Sequence, residues 1–417
     1  MKRFALIIAG ILVTSVMLAQ TTKQEVIDNP AFTRAQYSSY PVPTTALTPA
    51  PEGYTPVYIS HYGRHGSRYH TSRSNHTNAY KILKEAKEAD LLTSFGKSVY
   101  KKVKELRSDA KGRDGGLSPL GTQEHKGIAE RMYKAFPEVF SGNAIIDCRS
   151  TEAPRCILSM AANNERLKEL NPSLRIYRSA YEGDEDFLRR EKYQKENKKD
   201  MGSAKKQLQE NLDATEFAKR IFKDGISDIL DDKEMVKFMK YMYAIYQITD
   251  CTSHTGINLD DIFTPEELFT LWEANNAGNY AHCGNSQKHG KGVLKDAKPL
   301  LKDFIERADD ALEGNGISAD LRFGHDIAIA PLAALLNING YGARTNPVEE
   351  AYKVWADYIV MPMGTNLQLI YYKNASGNIL VKILYNERES TIPGLKTANG
   401  PYYDWKVLRQ YFVDLLK

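Results

Sequence analysis

Three apolar runs in this chain each stop at a polar cluster and hand over to a helical pattern. That recurrence restricts the fold more than any other feature. Tyr54 to Ile59 leads into Ser60-His61-Tyr62-Gly63-Arg64-His65-Gly66-Ser67-Arg68. Ala144 to Ile146 leads into Asp147-Cys148-Arg149-Ser150-Thr151, and Ile317 to Phe323 into Gly324-His325-Asp326. Strand, polar turn and helix in repetition build a mostly parallel α/β sheet with helices on its faces. Ligands of such sheets sit beyond the carboxyl ends of the strands, so the three clusters are expected to share one rim.

Helical patterns are read at Thr77–Leu92, Phe95–Arg107, Ala153–Leu170, Leu300–Leu312 and Ile327–Leu336. Ser118 is a cap with Pro119 in the first turn of a helix running to Ala135. Asn366–Tyr372 and Ile379–Tyr385 are read as two strands joined by a turn at Asn374–Gly377. Residues 179–291 differ from the rest. They carry a charge-dense stretch from Glu182 to Lys206, then Phe217, Phe238, Met242 and Tyr246 at helical spacing, then the capping box Thr264-Pro265-Glu266-Glu267. This block is expected to be an α-helical cap inserted into an α/β core formed by residues 20–178 and 292–417.

The first 19 residues read as a signal peptide. Lys2 and Arg3 precede an apolar run from Phe4 to Leu18, and Ala19 suits cleavage. The run is short for a membrane span, so an exported mature chain with no membrane span is expected, periplasmic or extracellular. Four cysteines, Cys148, Cys156, Cys251 and Cys283, allow two disulfides in that setting. A Cys251–Cys283 pair and buried free thiols both stay open. Net charge over 417 residues is +4, and Lys2 and Arg3 supply two of those charges. Bulk charge therefore gives no reason to expect nucleic-acid binding.

His65 stands between Arg64 and Arg68 at a strand end. Phosphoryl transfer needs such a pairing, because a transferring phosphoryl group spreads negative charge over oxygens that guanidiniums bind bidentately. Metal binding is not expected: Arg64 and Arg68 between His61, His65 and His70 would repel a cation, and the spacing matches no zinc pattern.

The chain resembles the histidine acid phosphatases, in the phytase and multiple inositol polyphosphate phosphatase branch of the histidine phosphatase superfamily. The likeness rests on Arg64-His65-Gly66-Ser67-Arg68, Leu117-Ser118-Pro119-Leu120-Gly121, Arg149-Ser150-Thr151, Gly324-His325-Asp326, Leu384-Tyr385-Asn386-Glu387 and Ile392-Pro393-Gly394. It implies His65 as the nucleophile that forms a phosphohistidine and Asp326 as general acid. It implies Arg64, Arg68, Arg149 and His325 as phosphate ligands, and neither metal nor cofactor. The fold it implies is a phosphoglycerate-mutase-like core with the inserted cap. Two departures stand out. Where many relatives have proline, Tyr69 is followed by His70, which makes His70 and Arg73 candidates for a second phosphate. Where inositol polyphosphate phosphatases of the animal type have His-Ala-Glu, this chain has His325-Asp326-Ile327.

The expected substrate is a small phosphomonoester, an inositol polyphosphate such as phytate first. The alternatives are a broad-specificity or sugar-phosphate acid phosphatase, and a phosphate-binding protein without turnover. Phytate needs cations beyond the first phosphate, and Arg189, Arg190 and Lys192 would supply them if they faced inward.

Overall fold

The computed structural model describes residues 21–417, so the expected signal peptide lies outside the described residues. The strands are β1 (Thr55–Arg64), β2 (Ile145–Ser150), β3 (Arg175–Ser179), β4 (Ile317–Gly324), β5 (Asn366–Lys373), β6 (Ile379–Tyr385), β7 (Arg388–Glu389) and β8 (Tyr402–Asp404). They form one mixed sheet of order β3-β2-β4-β1-β5-β6-β7, with β8 on β6. The four strands from β3 to β1 are parallel, and β1–β5 and β5–β6 are antiparallel.

The helices up to the second strand crossover are α1 (Lys23–Asp28), α2 (Ser74–Glu88), α3 (Ser94–Asp109), α4 (Pro119–Ala135) and α5 (Pro154–Leu170). The insertion contributes α6 (Glu185–Leu188), α7 (Lys192–Met201), α8 (Ser203–Glu210), α9 (Thr215–Ile221), α10 (Asp232–Ile248) and α11 (Pro265–Cys283). After it come α12 (Gly290–Glu313), α13 (Asp326–Leu335), α14 (Asp357–Val360) and α15 (Trp405–Leu416). α12, α13 and α15 cover one sheet face, through Leu301, Phe304, Ile329 and Phe412 against Tyr371 and Ile383. α4 and α5 cover the other, through Ile128, Met132, Met160 and Leu167 against Ile59 and Leu321.

Several elements differ from expectation. α2 and α3 pack into the same apolar cluster as α9, α10 and α11, through Leu83, Val99, Val103, Phe217, Phe238 and Trp272. The helical layer is thus built from residues before the insertion as well as inside it. α12 begins ahead of the expected Leu300 because the helix continues through Pro299. β3 was not expected; Arg-Ile-Tyr-Arg-Ser is a polar edge strand without an apolar run. Cys148, Cys156, Cys251 and Cys283 are buried and form no disulfide among the described residues. Cys251 packs with Ile248 and Met363, whereas Cys283 lies in the cluster under α12, so the Cys251–Cys283 pairing does not form. The cap signals held locally: Ser118 accepts from Gly121 N, and Thr264 and Glu267 close a capping box.

Candidate functional site

β1 and β4 are neighbouring parallel strands in register, with Arg64 opposite Gly324. One residue further on each strand stand His65 and His325, whose rings meet edge to face with centroids 5.7 Å apart. β1 lies inside the sheet between β4 and β5, so its polar end, from Ser60 to Arg64, is buried on both sides.

The loop after β1 is clamped to the start of α4. A Cβ on Gly66 would lie 2.5 Å from Gly121 O, and one on Gly121 would strike Ser67 O. Both glycines are therefore required by close backbone approach. Ser118 Oγ donates to Ser67 O at 3.0 Å, and the buried Glu124 accepts from Ser67 N at 2.6 Å and Ser67 Oγ at 2.8 Å. His125 Nε2 donates to Arg64 O at 3.1 Å. The Leu-Ser-Pro-Leu-Gly stretch thus supports the loop that carries the histidine.

Gly66 O lies 2.9 Å from His65 Nδ1. A carbonyl can only accept, so Nδ1 carries the proton and Nε2 keeps its lone pair. Burial, then the charges of Arg64 and Arg68, hold the His65 ring well below its ordinary range, so it is neutral. Arg64 is fully buried; its guanidinium donates to Gln36 O at 2.6 Å, Met361 O at 2.5 Å and Asp326 Oδ2 at 2.6 Å. Burial alone would raise Asp326, but Arg64, Arg68 and His325 outweigh it and keep its carboxyl below the usual range.

Arg149 does not join this group. It sits on the same face of β2 as Asp147 and turns to α12, where it pairs bidentately with Asp303 at 2.9 and 3.2 Å. Asp303 also holds the buried Arg322, and Arg307 holds Asp147 and Asp320, so this is an ion-pair network between sheet and helix. The arginine at the rim is Arg155, in the first turn of α5. Its guanidinium donates to His325 Nδ1 at 3.3 Å, and its charge also reaches His65. His325 Nε2 then carries the other ring proton and faces Thr151 Oγ1 at 3.1 Å. Burial, then Arg189 and Arg155, hold His325 well below its ordinary value. Arg189, from the stretch after α6, thereby faces the site from the insertion. Among the described residues, the buried Nε atoms of Arg64, Arg68 and Arg155 have no hydrogen-bond partner. Three donors without acceptors around one histidine make an anion cradle.

A cavity of about 440 Å³ opens beside this cradle, between the loop after β1 and helices α8, α10 and α11. Gln36 and Tyr37 belong to both: Gln36 O holds Arg64, and the Arg68 guanidinium lies 5.4 Å from the Tyr37 ring centre. His70 lines the cavity, edge-on to Tyr37, with Nε2 donating to Ala244 O at 2.8 Å; burial pushes it down to about 3. It is therefore a neutral wall residue. Arg73 faces away, paired with Asp114 at 3.0 Å on the surface. Lys205 and Lys240 line the cavity and make no ion pair among the described residues. Burial, then Lys240, lowers Lys205. The sequence reading named none of Arg155, Lys205 and Lys240 as site residues; Pro154 at the start of α5 was the available signal for Arg155.

Among the described residues, no three His, Cys, Asp or Glu side chains gather as a metal site, and no helix is long and apolar enough to cross a membrane.

The model of the histidine phosphatase superfamily (branch 2) matches residues 63–386. The fold is similar to that of the Bifidobacterium longum multiple inositol polyphosphate phosphatase in complex with phosphate, at TM-score 0.78 and 18% identity over 92% of this chain and 98% of that one. The phytase from D. castellii superposes with TM-score 0.68 at 13% identity, over 95% and 87% of the two chains. The Hafnia alvei phytase in complex with tartrate gives 0.53 at 13%, over 88% and 98%. Curated proteins include no match. With its family model spanning both the His65 and the His325–Asp326 segments, the chain belongs to branch 2 of the histidine phosphatase superfamily and is a histidine acid phosphatase.

Proposed function

We propose that this phosphatase works through a phosphohistidine at His65 and takes inositol polyphosphates such as phytate, as an exported enzyme. The observation that carries the chemistry is the neutral His65 ring, Nε2 free, inside three guanidiniums with partner-free Nε atoms. A phosphate seated there would be held by Arg64, Arg68 and Arg155. His65 Nε2 attacks phosphorus and forms the N–P bond as the ester P–O bond breaks. Asp326 protonates the departing alkoxide, and its carboxylate then draws a proton from the water that cleaves the N–P bond. In the free protein Asp326 is ionised by its contact with Arg64. A bound phosphate dianion competes for that guanidinium and lets the carboxyl take up its proton, which favours acid conditions. As Arg155 turns from His325 to the anion, the ring proton moves to Nδ1, with Thr151 Oγ1 donating to Nε2, and Nδ1 then donates to a phosphate oxygen.

The adjoining cavity supports a substrate with several phosphates. Burial lowers both lysines; Lys240 adds to the effect on Lys205, which the charge of Asp357 offsets only in part, and neither lysine forms an ion pair among the described residues, so a second anionic group would relieve both. Relatives in this fold whose names state inositol polyphosphate phosphatase or phytase accord with that reading. Export accords with the basic and then apolar start of the sequence.

Phosphate release from phytate, glucose phosphate and nitrophenyl phosphate tests the proposal. His65→Ala should abolish all three. The double variant Lys205→Met, Lys240→Met should raise KM for phytate at least tenfold and leave nitrophenyl phosphate near wild type. Equal effects on both substrates, or wild-type preference for glucose phosphate, would replace the polyphosphate reading with broad specificity.

A further inference from the structure

Asp357 is fully buried, and among the described residues no cation forms an ion pair with it. Its carboxylate is held by the cap instead. Trp272 Nε1 donates to Oδ1 at 2.9 Å and Asn279 Nδ2 to Oδ2 at 2.8 Å. The Asp357 backbone N–H donates to Asn276 Oδ1 at 2.9 Å, and Asn276 Nδ2 returns a bond to Trp355 O at 3.1 Å. Trp272, Asn276 and Asn279 form one stripe of α11, spaced at one and two turns. A buried carboxylate without a cation in contact is expensive; the charge of Lys205 reaches this one, and burial still pushes it up to about 6. An asparagine would fill the same space, so packing alone does not account for the charge.

The other end of the same short helix accounts for it. Asp357 is the first residue of α14, and Met361 caps its end, with Met361 N–H donating to Asp357 O at 2.9 Å. Met361 O receives the Arg64 guanidinium at 2.5 Å, and Arg64 reaches Asp326 at 2.6 Å. An unbroken line of hydrogen bonds thus runs from the cap helix through one helical turn to the guanidinium beside the nucleophile and its acid. Gln36 O is the other carbonyl on that guanidinium and holds the same nitrogen, so Met361 O is one of two backbone anchors of Arg64.

We propose that Asp357 is a positioning residue: held by Trp272 and Asn279 of the cap, it sets α14 so that Met361 O aims Arg64 at Asp326 and the phosphate. This rests on the phosphatase reading of Arg64 and Asp326. Asp357→Asn places a donor against one of the two N–H groups, and α14 shifts to relieve the clash. Trp272→Phe removes the N–H together with the five-membered part of the buried indole, so some loss of stability accompanies it.

The test uses the full chain, with kcat and KM on nitrophenyl phosphate, the affinity for inorganic phosphate by calorimetry, and thermal melts. Each single variant should lower kcat at least tenfold and weaken phosphate binding at least fivefold, with less than threefold change in KM. The double variant should be no worse than the more severe single, because both act through one contact. A lower melting temperature with kcat and phosphate affinity within twofold of wild type would reduce Asp357 to packing and overturn the proposal. If Asp357→Asn fails to fold, Trp272→Phe carries the same readouts. A wild type that binds phosphate without turnover would sink the phosphatase reading, and the phosphate affinities would still decide the positioning claim.

Discussion

Replacing Arg155 by Met, with Arg149→Met beside it, separates the two arginines that follow β2. Arg155 donates to His325 at 3.3 Å, and its Nε has no partner among the described residues. A positioned donor that meets charge in the transition state is worth about 3–4 kcal/mol, or roughly a hundred- to a thousandfold in kcat. Arg149 instead pairs with Asp303, and its side chain is only 13% exposed. Stranding one partner of a buried pair costs ~3–5 kcal/mol. Asp303 keeps Arg322 at 2.5 Å, so the expected loss is about half that, ~2 kcal/mol of stability with turnover intact. Steady-state kinetics on nitrophenyl phosphate and urea denaturation read the two effects separately. A hundredfold loss of kcat in Arg149→Met, with Arg155→Met near wild type, would put the anion on the α12 side of β2 and refute the reasoning.

Asp326→Asn should slow esters with poor leaving groups far more than nitrophenyl phosphate; equal slowing would remove the general-acid role. His61 is buried without a hydrogen bond on either ring nitrogen, and burial pushes it from 6.5 down to about 3. The unfolded chain therefore takes the proton first, so this contribution to stability is whole above pH 6.5 and is lost as pH falls. It is worth about 2 kcal/mol between pH 7 and pH 5. Denaturation of His61→Leu should show a shallower acid loss than wild type by that amount; an unchanged slope would refute it. Gly121→Ala drives a methyl into Ser67 O and should displace the His65 loop, lowering kcat at least tenfold; wild-type kcat would show that the loop adapts freely.

The parallel half of the sheet was legible because apolar runs ended in polar clusters and helices followed. The strand that leads to His65 was cut short in that reading. Ser60 to Arg64 are polar by composition, and only the flanking β4 and β5 bury them. Arg149 reads as a phosphate ligand because Arg149-Ser150-Thr151 resembles the segment of the family's third arginine. Strand parity decides otherwise: it shares a face with Asp147, while the chain must pass Pro154 before an arginine meets the rim. Lys205 and Lys240 lay in a charge-rich and an amphipathic stretch where lysines ordinarily face water, and only the packing of α8 and α10 around the cavity distinguishes them. Arg73 shows the converse, a sequence candidate that its neighbour Asp114 draws to the surface.

The alignment of β1 with β4 has a further consequence. Because Arg64 lies opposite Gly324, His65 and His325, one residue beyond each, are spaced by the ladder itself, about 4.8 Å from strand to strand. That separation cannot drift while the sheet survives. Changes above the rim that keep the contact of Trp272 with Asp357 can therefore alter which esters are admitted without moving these two histidines, so new specificities are open to this scaffold.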